Sequence, residues 1–178
     1  MPVRALLLTG TVGSGKSTTA DRIGSRLRVA GVPHAVIDLD EIRRFWPTPT
    51  HDPFGLETEL RNLAPMAEHF RGAGALRLVL AGVCETREVR ERYQAAVGVP
   101  LVVCRLRVHQ ESVRRRLRDR HGGQEAELAW HLDRAGELEA ILDAAAVADV
   151  EVAGDGKTAE EVAAEVLGRI GWDSGGQR

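Results

Sequence analysis

Residues 10–17 read Gly-Thr-Val-Gly-Ser-Gly-Lys-Ser and match the pattern G-x-x-x-x-G-K-[ST] at every defined position. A short apolar run at residues 3–8 precedes the match, and residues 18–23 read as a helix, so the pattern lies between a strand and a helix as it requires. Glycines let the backbone N–H groups turn inward, and a helix N-terminus adds partial positive charge. The stretch therefore predicts a phosphate-binding loop.

Two side chains of this loop have predicted roles of their own. Lys16 is one of two lysines in a chain that otherwise uses arginine, and its compact ammonium is expected to reach the β- and γ-phosphates of a nucleotide. The Ser17 hydroxyl is expected to bind Mg²⁺. The predicted nucleotide-binding residues are Gly13, Ser14, Gly15, Lys16, Ser17 and Thr18.

Length and composition limit the classes of protein that fit. The 178 residues, 43% of them hydrophobic, predict one globular domain over residues 1–172 and a disordered tail at 173–178. A net charge of −2 argues against a dedicated nucleic-acid binder. No apolar run approaches the roughly 20 residues of a membrane span, and we expect no removable leader, so a cytoplasmic protein without a membrane partner is predicted. Cys84 and Cys104 are too few for a disulfide framework or a zinc site.

Apolar runs alternate with helical patterns along the chain, which predicts an α/β fold with a parallel sheet covered by helices. The expected strands are about 3–9, 34–39, 76–82, 99–106 and 148–152. The expected helices are about 17–29, 40–45, 56–71, 125–145 and 158–170, the last opened by a capping box at Thr158 and Glu161.

Prolines interrupt this alternation of strands and helices at two places. Residues 46–55 contain three prolines and should form a loop above the carboxyl ends of the strands, where open α/β sheets bind ligands. We interpret this loop as a substrate lid or pocket wall; the alternative is a plain surface connection. Pro65 predicts a kink or break within the helix at 56–71.

Two carboxylates end the second expected strand, at Asp38 and Asp40. Strand residues two apart face the same way, so both are expected to point toward the phosphate cleft. There a carboxylate can hold Mg²⁺, or it can orient and deprotonate an attacking hydroxyl. We expect a catalytic or binding role for Asp40; the alternative is that Asp40 simply caps the next helix. Arg43 lies on the same helix face as Asp40 and could grip an anionic substrate group.

The third expected strand is informative because it lacks an acid. Hydrolytic ATPases with this loop usually place one at the end of an apolar strand, but residues 78–83 read Leu-Val-Leu-Ala-Gly-Val and Glu85 is the first acid. Support for Mg²⁺ is therefore expected from Asp38. This pattern favours a phosphotransferase over a motor or a switch.

Residues 114–120 contain five arginines and follow the fourth expected strand, again at the ligand-binding end. We interpret residues 110–124 as an arginine lid, with Gly122-Gly123 as a hinge and with Arg116 and Arg120 stabilising the transferring phosphoryl group. The alternatives are a solvated helix or a local nucleic-acid patch.

The helix at 125–145 is expected to bury a stripe of apolar residues, and Trp130, His131, Arg134 and Glu137 occupy its other sides. We interpret Trp130, His131 and Arg134 as structural residues. Trp130 and Arg134 are four apart and could stack on each other, and the alternative for His131 is a ligand contact.

With these motifs the chain resembles the small P-loop kinases of the nucleoside-monophosphate-kinase-like group. Residues 10–17 carry the Walker A loop, and residues 116–120 are similar to the R-x-x-x-R lid pattern of that group. Residues 37–44 resemble the D-x-D-x-x-R stretch of adenylylsulfate kinases, whose D-x-D part shikimate kinases share. Glu41 stands where the adenylylsulfate pattern has Asn, so the identity of the acceptor is not carried over.

The resemblance implies a three-layer P-loop NTPase fold with a five-stranded parallel sheet in the order 2-3-1-4-5 and bound ATP and Mg²⁺. By this analogy Asp40 would meet the acceptor hydroxyl and Arg43 an anionic substrate group. Arg116 and Arg120 would contact the ATP phosphates, and residues 152–156 would lie near the adenine.

Three functional hypotheses follow. The first is an ATP- and Mg²⁺-dependent phosphotransferase that moves the γ-phosphate to a hydroxyl of a small molecule, as a monomer or homodimer. The second is a nucleotide-binding regulatory protein with slow or no hydrolysis. The third is an enzyme acting on nucleic-acid ends, which the mildly acidic charge balance disfavours. The nucleotide could be GTP instead of ATP, although the chain has no base-specific Asn-Lys-x-Asp pattern.

Overall fold

Five parallel strands form one sheet in the order β2-β3-β1-β4-β5 in the computed structural model, which describes residues 2–120 and 125–172. The strands are β1 (Arg4–Thr9), β2 (His34–Asp38), β3 (Arg77–Ala81), β4 (Leu101–Arg107) and β5 (Val150–Ala153). This arrangement confirms the predicted fold class and strand order. The predictions for the tail at 173–178 and for a hinge at Gly122-Gly123 lie outside the described residues.

Helices cover both faces of the sheet. They are α1 (Lys16–Val29), α2 (Leu39–Ile42), α3 (Leu56–Gly72), α4 (Arg87–Val97), α5 (Gln110–Arg120), α6 (Glu125–Ala145) and α7 (Ala159–Arg169). Within the described ranges, no helix is long and apolar enough to cross a membrane.

The central strand β1 divides its side chains between two cores because successive strand residues point to opposite faces. Leu6 and Leu8 face the layer of α1 and α7, whereas Ala5 and Leu7 face the layer of α3 and α4. All four are fully buried, which explains why β1 reads as a continuous apolar run. Burial on both faces holds the carboxyl end of β1, where the glycine loop begins, in a fixed position.

A third, smaller core joins the arginine-rich helix α5 to α6 and to the glycine loop. Val113 and Leu117 of α5 pack with Ala135 of α6, and Val12 of the loop packs against them. The Val113–Leu117 spacing of four residues puts both on one helix face. This packing, rather than charge alone, places the arginines of α5 beside the loop.

Two local expectations were wrong or incomplete. The helix α3 continues through Pro65, so a break there does not occur. Pro65 has no N–H to donate to the carbonyl oxygen of Arg61. Both residues are exposed, so water can donate a hydrogen bond to that carbonyl instead. The helix α4 was not predicted, because only Val89, Tyr93 and Val97 repeat at helical spacing in an otherwise polar segment.

Candidate active site

The glycine loop connects β1 to α1 with a backbone that side chains would disturb. Gly13 and Gly15 have φ values of +78° and +93°, in the left-handed region that favours glycine. A Cβ atom on Gly10 would lie 2.8 Å from the carbonyl oxygen of Leu106 in β4. The loop is therefore held tightly against the sheet and needs its glycines.

Two cations lie against this loop. The buried Lys16 Nζ donates hydrogen bonds to the carbonyl oxygens of Gly10 and Thr11, at 3.1 and 3.0 Å. Arg116 Nη1 of α5 donates to the carbonyl oxygens of Gly13 and Ser14, at 3.4 and 3.3 Å. The structure thus brings Arg116 to the loop, as the arginine-lid prediction requires.

The second arginine assigned to the lid, Arg120, ends α5, and its side chain lies outside the described part of the structure. Its predicted contact with the phosphates stays a prediction.

A cavity of about 270 Å³ opens between the loop, α5 and the start of α7. Its lining includes Gly13, Ser14, Gly15, Thr18, Arg116, Gly154 and Lys157. Gly154 belongs to the 152–156 turn that the resemblance places near an adenine. The buried Ser14 Oγ has no hydrogen-bond partner among the described residues. An orphaned hydroxyl among glycines of positive φ fits a site that is completed by a phosphate group.

A second cavity, of about 160 Å³, lies where the loop meets α2 and α6, and we call it the acceptor-side cavity. It brings together Lys16, Ser17, Asp40, Arg43, Phe54, Val83, Glu85, Trp130, Arg134 and Leu138. Seven of the predicted site residues line this cavity, since Gly13, Gly15 and Thr18 also belong to its lining, and Asp38 is not among them.

The two aspartates take different places from those expected. Strand β2 ends at Asp38, and Asp40 lies inside α2, so strand alternation does not bring the two together. Asp38 Oδ1 accepts the backbone N–H of Asp40 at 3.0 Å and caps α2, which is the capping role that we had considered for Asp40. Arg43 Nη2 donates to Asp40 Oδ1 from one helical turn away. The metal role of Asp38 stays a prediction.

A buried carboxylate behind Arg43 was missed. Glu59 of α3 is 1% exposed, accepts a hydrogen bond from the buried Tyr93 hydroxyl, and lies 3.4 Å from Arg43 Nη1. Burial raises the pKa of Glu59 to about 7, against the opposing effects of the Tyr93 hydrogen bond and the Arg43 charge. A signal was present in the sequence, because Glu59 repeats with Leu63 and Ala67 on the apolar face of α3.

We expect Glu59→Gln to remove a pH dependence of stability. Between about pH 4.5 and 7 the folded protein holds a proton on Glu59 that the unfolded chain has lost, so the free energy of unfolding falls as the pH rises through this window. The whole effect is about 3 kcal/mol. Urea unfolding at pH 5 and pH 8 measures it. In Glu59→Gln the free energy of unfolding should no longer fall between pH 5 and pH 8. Glu68→Gln, on the exposed side of α3, is the control and should keep the fall. Equal pH dependence in the two variants and the wild type would contradict the raised pKa of Glu59.

One stripe of α6 forms the far wall of the acceptor-side cavity. Trp130, Arg134 and Leu138 are spaced by four residues and all line it. Arg134 Nη2 lies 2.5 Å from Glu85 Oε1, and the guanidinium lies 4.8 Å from the centre of the Phe54 ring. Arg134 therefore stacks on Phe54 and not, as considered from the sequence, on Trp130. These wall residues had been interpreted as structural, and their i, i+4 spacing was the available signal.

The segment 46–55 contributes one side of the same wall through Phe54. Its end is anchored because the buried Asp52 accepts the backbone N–H groups of Glu57 and Thr58, at 3.1 and 3.0 Å. Gly55 has a φ of +72°, and a Cβ atom there would lie 3.2 Å from the Arg43 side chain. The segment thus fits the predicted pocket wall; whether it also moves as a lid stays a prediction.

The polar groups near the loop fit a magnesium ion that is shared with nucleotide phosphates. Ser17, Asp40 and Glu85 line one cavity, yet the described residues include no group of three His, Cys, Asp or Glu side chains that could hold a metal ion. Mg²⁺ commonly uses one or two protein oxygens together with phosphates and water. The donor set therefore suits a nucleotide-bound ion.

The strand order and the glycine loop with its lysine define a three-layer P-loop NTPase fold. The chain belongs to the AAA domain family, whose family model matches residues 6–130. No curated protein matches it significantly in sequence.

Three solved structures illustrate the similarity. The shikimate kinase of Acinetobacter baumannii is 17% identical, with a TM-score of 0.66 over 94% of this chain and 93% of that one. The APS kinase of Mycobacterium tuberculosis is 19% identical, with a TM-score of 0.59 over 96% of this chain and 99% of that one. A gluconokinase of Sinorhizobium meliloti is 18% identical, with a TM-score of 0.59 over 94% and 91%. At these identities the likeness shows the fold, and it confirms the resemblance to small P-loop kinases at that level.

Proposed function

We propose that this protein is an ATP- and Mg²⁺-dependent phosphotransferase that moves the γ-phosphate to a hydroxyl of a small molecule. One observation carries the proposal: the loop with Lys16 separates a cavity suited to a nucleotide from a second cavity that contains Asp40 and Arg43. The second cavity gives an acceptor hydroxyl a place beside the phosphate site, next to a carboxylate that could take its proton. The kinase names of the solved relatives support the same class.

Each residue then has a part in the transfer. Lys16 leaves its two loop carbonyls for the phosphates, and Arg116 adds positive charge from α5. Mg²⁺, held by Ser17 and the phosphates, neutralises charge when it is bound. Asp40 accepts the proton of the attacking hydroxyl, and Arg43 holds the Asp40 carboxylate in place. Transfer of this kind needs positioning and charge neutralisation rather than covalent chemistry by the protein.

One observation favours a regulatory nucleotide-binding protein as the second candidate. Strand β3 ends in Ala81 followed by Gly82, and a Cβ atom on Gly82 would lie 2.5 Å from the Leu39 side chain. The place where hydrolytic ATPases carry an acid is therefore apolar and crowded. This feature fits slow hydrolysis, but it leaves the acceptor-side cavity without a role.

The two candidates differ in a direct assay. We expect Mg-ATP labelled in the γ-phosphate to transfer its label to at least one member of a panel of hydroxylated small molecules, which includes sugars, amino acids, nucleosides, adenylylsulfate and antibiotics. Chromatography would detect the labelled product, and its absence without acceptor is the control. Tight binding of Mg-ATP with no labelled product across the panel would favour the regulatory protein.

A further inference from the structure

We propose that the acceptor is an uncharged, ring-shaped polyol, such as a hexose or a cyclitol, bound in the acceptor-side cavity with one C–H face on Trp130. This inference rests on the proposed phosphotransferase function and narrows its substrate class. It also replaces the expectation that Arg43 grips an anionic substrate group. Charge, hydrogen-bonding pattern, aromatic exposure and cavity size each contribute to it.

Charge comes first, because each arginine of the cavity already pairs with a carboxylate that lines the same cavity, Arg43 with Asp40 and Arg134 with Glu85. Arg43 contacts Asp40 and Glu59. Arg134 contacts Glu85 at 2.5 Å and Glu137 at 2.7 Å.

An anionic acceptor would have to displace one of these carboxylates and would then lie beside the negative charges that remain. The ammonium of Lys16 offers no substitute, since the phosphates of the nucleotide need it. Like charges held close together in a site disfavour binding. An uncharged acceptor avoids this conflict.

The same ion pairs suit adjacent hydroxyl groups. Each pair presents carboxylate oxygens, which accept hydrogen bonds, beside guanidinium N–H groups, which donate them. A hydroxyl group both donates and accepts, so two neighbouring hydroxyls can bind one carboxylate and one guanidinium without breaking the ion pair. The cavity has two such pairs: Asp40 of α2 with Arg43, which follows that helix, and Glu85 with Arg134 of α6.

Exposed aromatic rings provide the apolar part of the cavity. Trp130 is 57% exposed and Phe54 is 59% exposed, although both line the cavity. Arg134 stacks on one face of Phe54. Trp130 packs edge-to-face with His131, at 4.9 Å between ring centres, and stays more than half exposed, so its ring can still receive a ligand. Large aromatic side chains at the mouth of a polar pocket commonly receive an apolar face of a ligand. A cyclic polyol has such a face, because its ring C–H groups lie apart from the hydroxyl-bearing edge.

The cavity volume also limits the acceptor. About 160 Å³ is below the roughly 300–1,000 Å³ of pockets for drug-sized ligands. A single six-membered ring suits this space better than a chain of several rings or a macromolecule.

The test compares three sets of acceptors in the labelled-phosphate assay. The first set holds uncharged hexoses and cyclitols, the second the matching hexuronic acids and hexose phosphates, and the third aromatic alcohols. We expect labelled product from a member of the first set, and a kcat/KM at least about 10-fold lower for its anionic counterpart. Transfer to the second or third set but not to the first would overturn the proposal of an uncharged polyol acceptor. It would leave the proposed phosphotransferase function intact. Transfer to no hydroxyl compound, with Mg-ATP still bound, would overturn both.

Trp130 is tested with the best uncharged acceptor as substrate. We expect Trp130→Ala to raise the KM for the polyol about 10-fold while the KM for ATP changes less than about 2-fold, because stacking is lost only on the acceptor side. Trp130→Phe should recover much of the loss. Phe45→Ala, a similarly exposed aromatic outside the cavity, is the matched control and should leave both KM values unchanged. Equal effects of Trp130→Ala on both substrates, or no effect on either, would overturn the stacking role.

Discussion

Lys16→Ala is expected to lower phosphate transfer by at least about 100-fold, the loss typical of removing one donor that stabilises transition-state charge. Its ammonium is positioned by the carbonyl oxygens of Gly10 and Thr11, at the start of the loop, and lines the acceptor-side cavity as well. In the proposed reaction it is therefore the cation placed to meet the γ-phosphate on the acceptor side of the loop. Retention of most activity in the variant would contradict the site assignment.

Two further measurements separate chemistry from folding in this variant. Lys16→Arg keeps the charge but replaces a compact ammonium with a planar guanidinium, so we expect it to lose transfer almost as fully as the alanine variant. The lost bonds of the Lys16 ammonium to Gly10 and Thr11 should cost about 1.5–3 kcal/mol of folding stability each, which thermal unfolding can measure. A folded, stable and inactive Lys16→Arg protein would show that geometry, and not charge alone, matters.

Sequence patterns were sufficient for the sheet and the phosphate loop because both depend on neighbouring residues. The buried run of β1 and the glycines that follow it lie within residues 4–15, and β3 and β4 repeat the same apolar signal. The edge strands β2 and β5 have shorter apolar patterns, with partly exposed positions. The strand order followed from the resemblance. Local errors, such as the continuous helix at Pro65, arose where exposure to water compensated for a lost hydrogen bond.

Such local patterns could not predict the wall of the acceptor-side cavity that α6 forms. Glu85 and Arg134 are 49 residues apart, and Arg105 on β4 holds α6 against the sheet through Glu139 and Asp143. These contacts and the small core of α5, α6 and Val12 bring the wall of α6 to the loop, and no pattern within one element contains them. Glu59 is different, since a carboxylate on an apolar helix face is visible in the sequence even though its partners are not.

Asp40→Asn is the second variant with a large expected effect, a fall in kcat of about 100-fold or more with little change in ATP affinity. The amide keeps the shape of the carboxylate and can still accept a hydrogen bond from Arg43, but it cannot take the proton of the attacking hydroxyl. Single-turnover transfer and equilibrium binding of a fluorescent ATP analogue measure the two quantities separately.

Asp38→Asn is its matched control, because asparagine caps helices as well as aspartate does and α2 should remain intact. If Asp38 supports the metal as predicted, its variant requires more Mg²⁺ for half-maximal rate, while Asp40→Asn keeps the wild-type Mg²⁺ dependence. The opposite result, in which Asp40→Asn mainly raises the Mg²⁺ requirement and preserves kcat at saturation, would move Asp40 to the metal site. The acceptor hydroxyl would then have to lose its proton to Glu85, the remaining carboxylate that lines the cavity among the described residues.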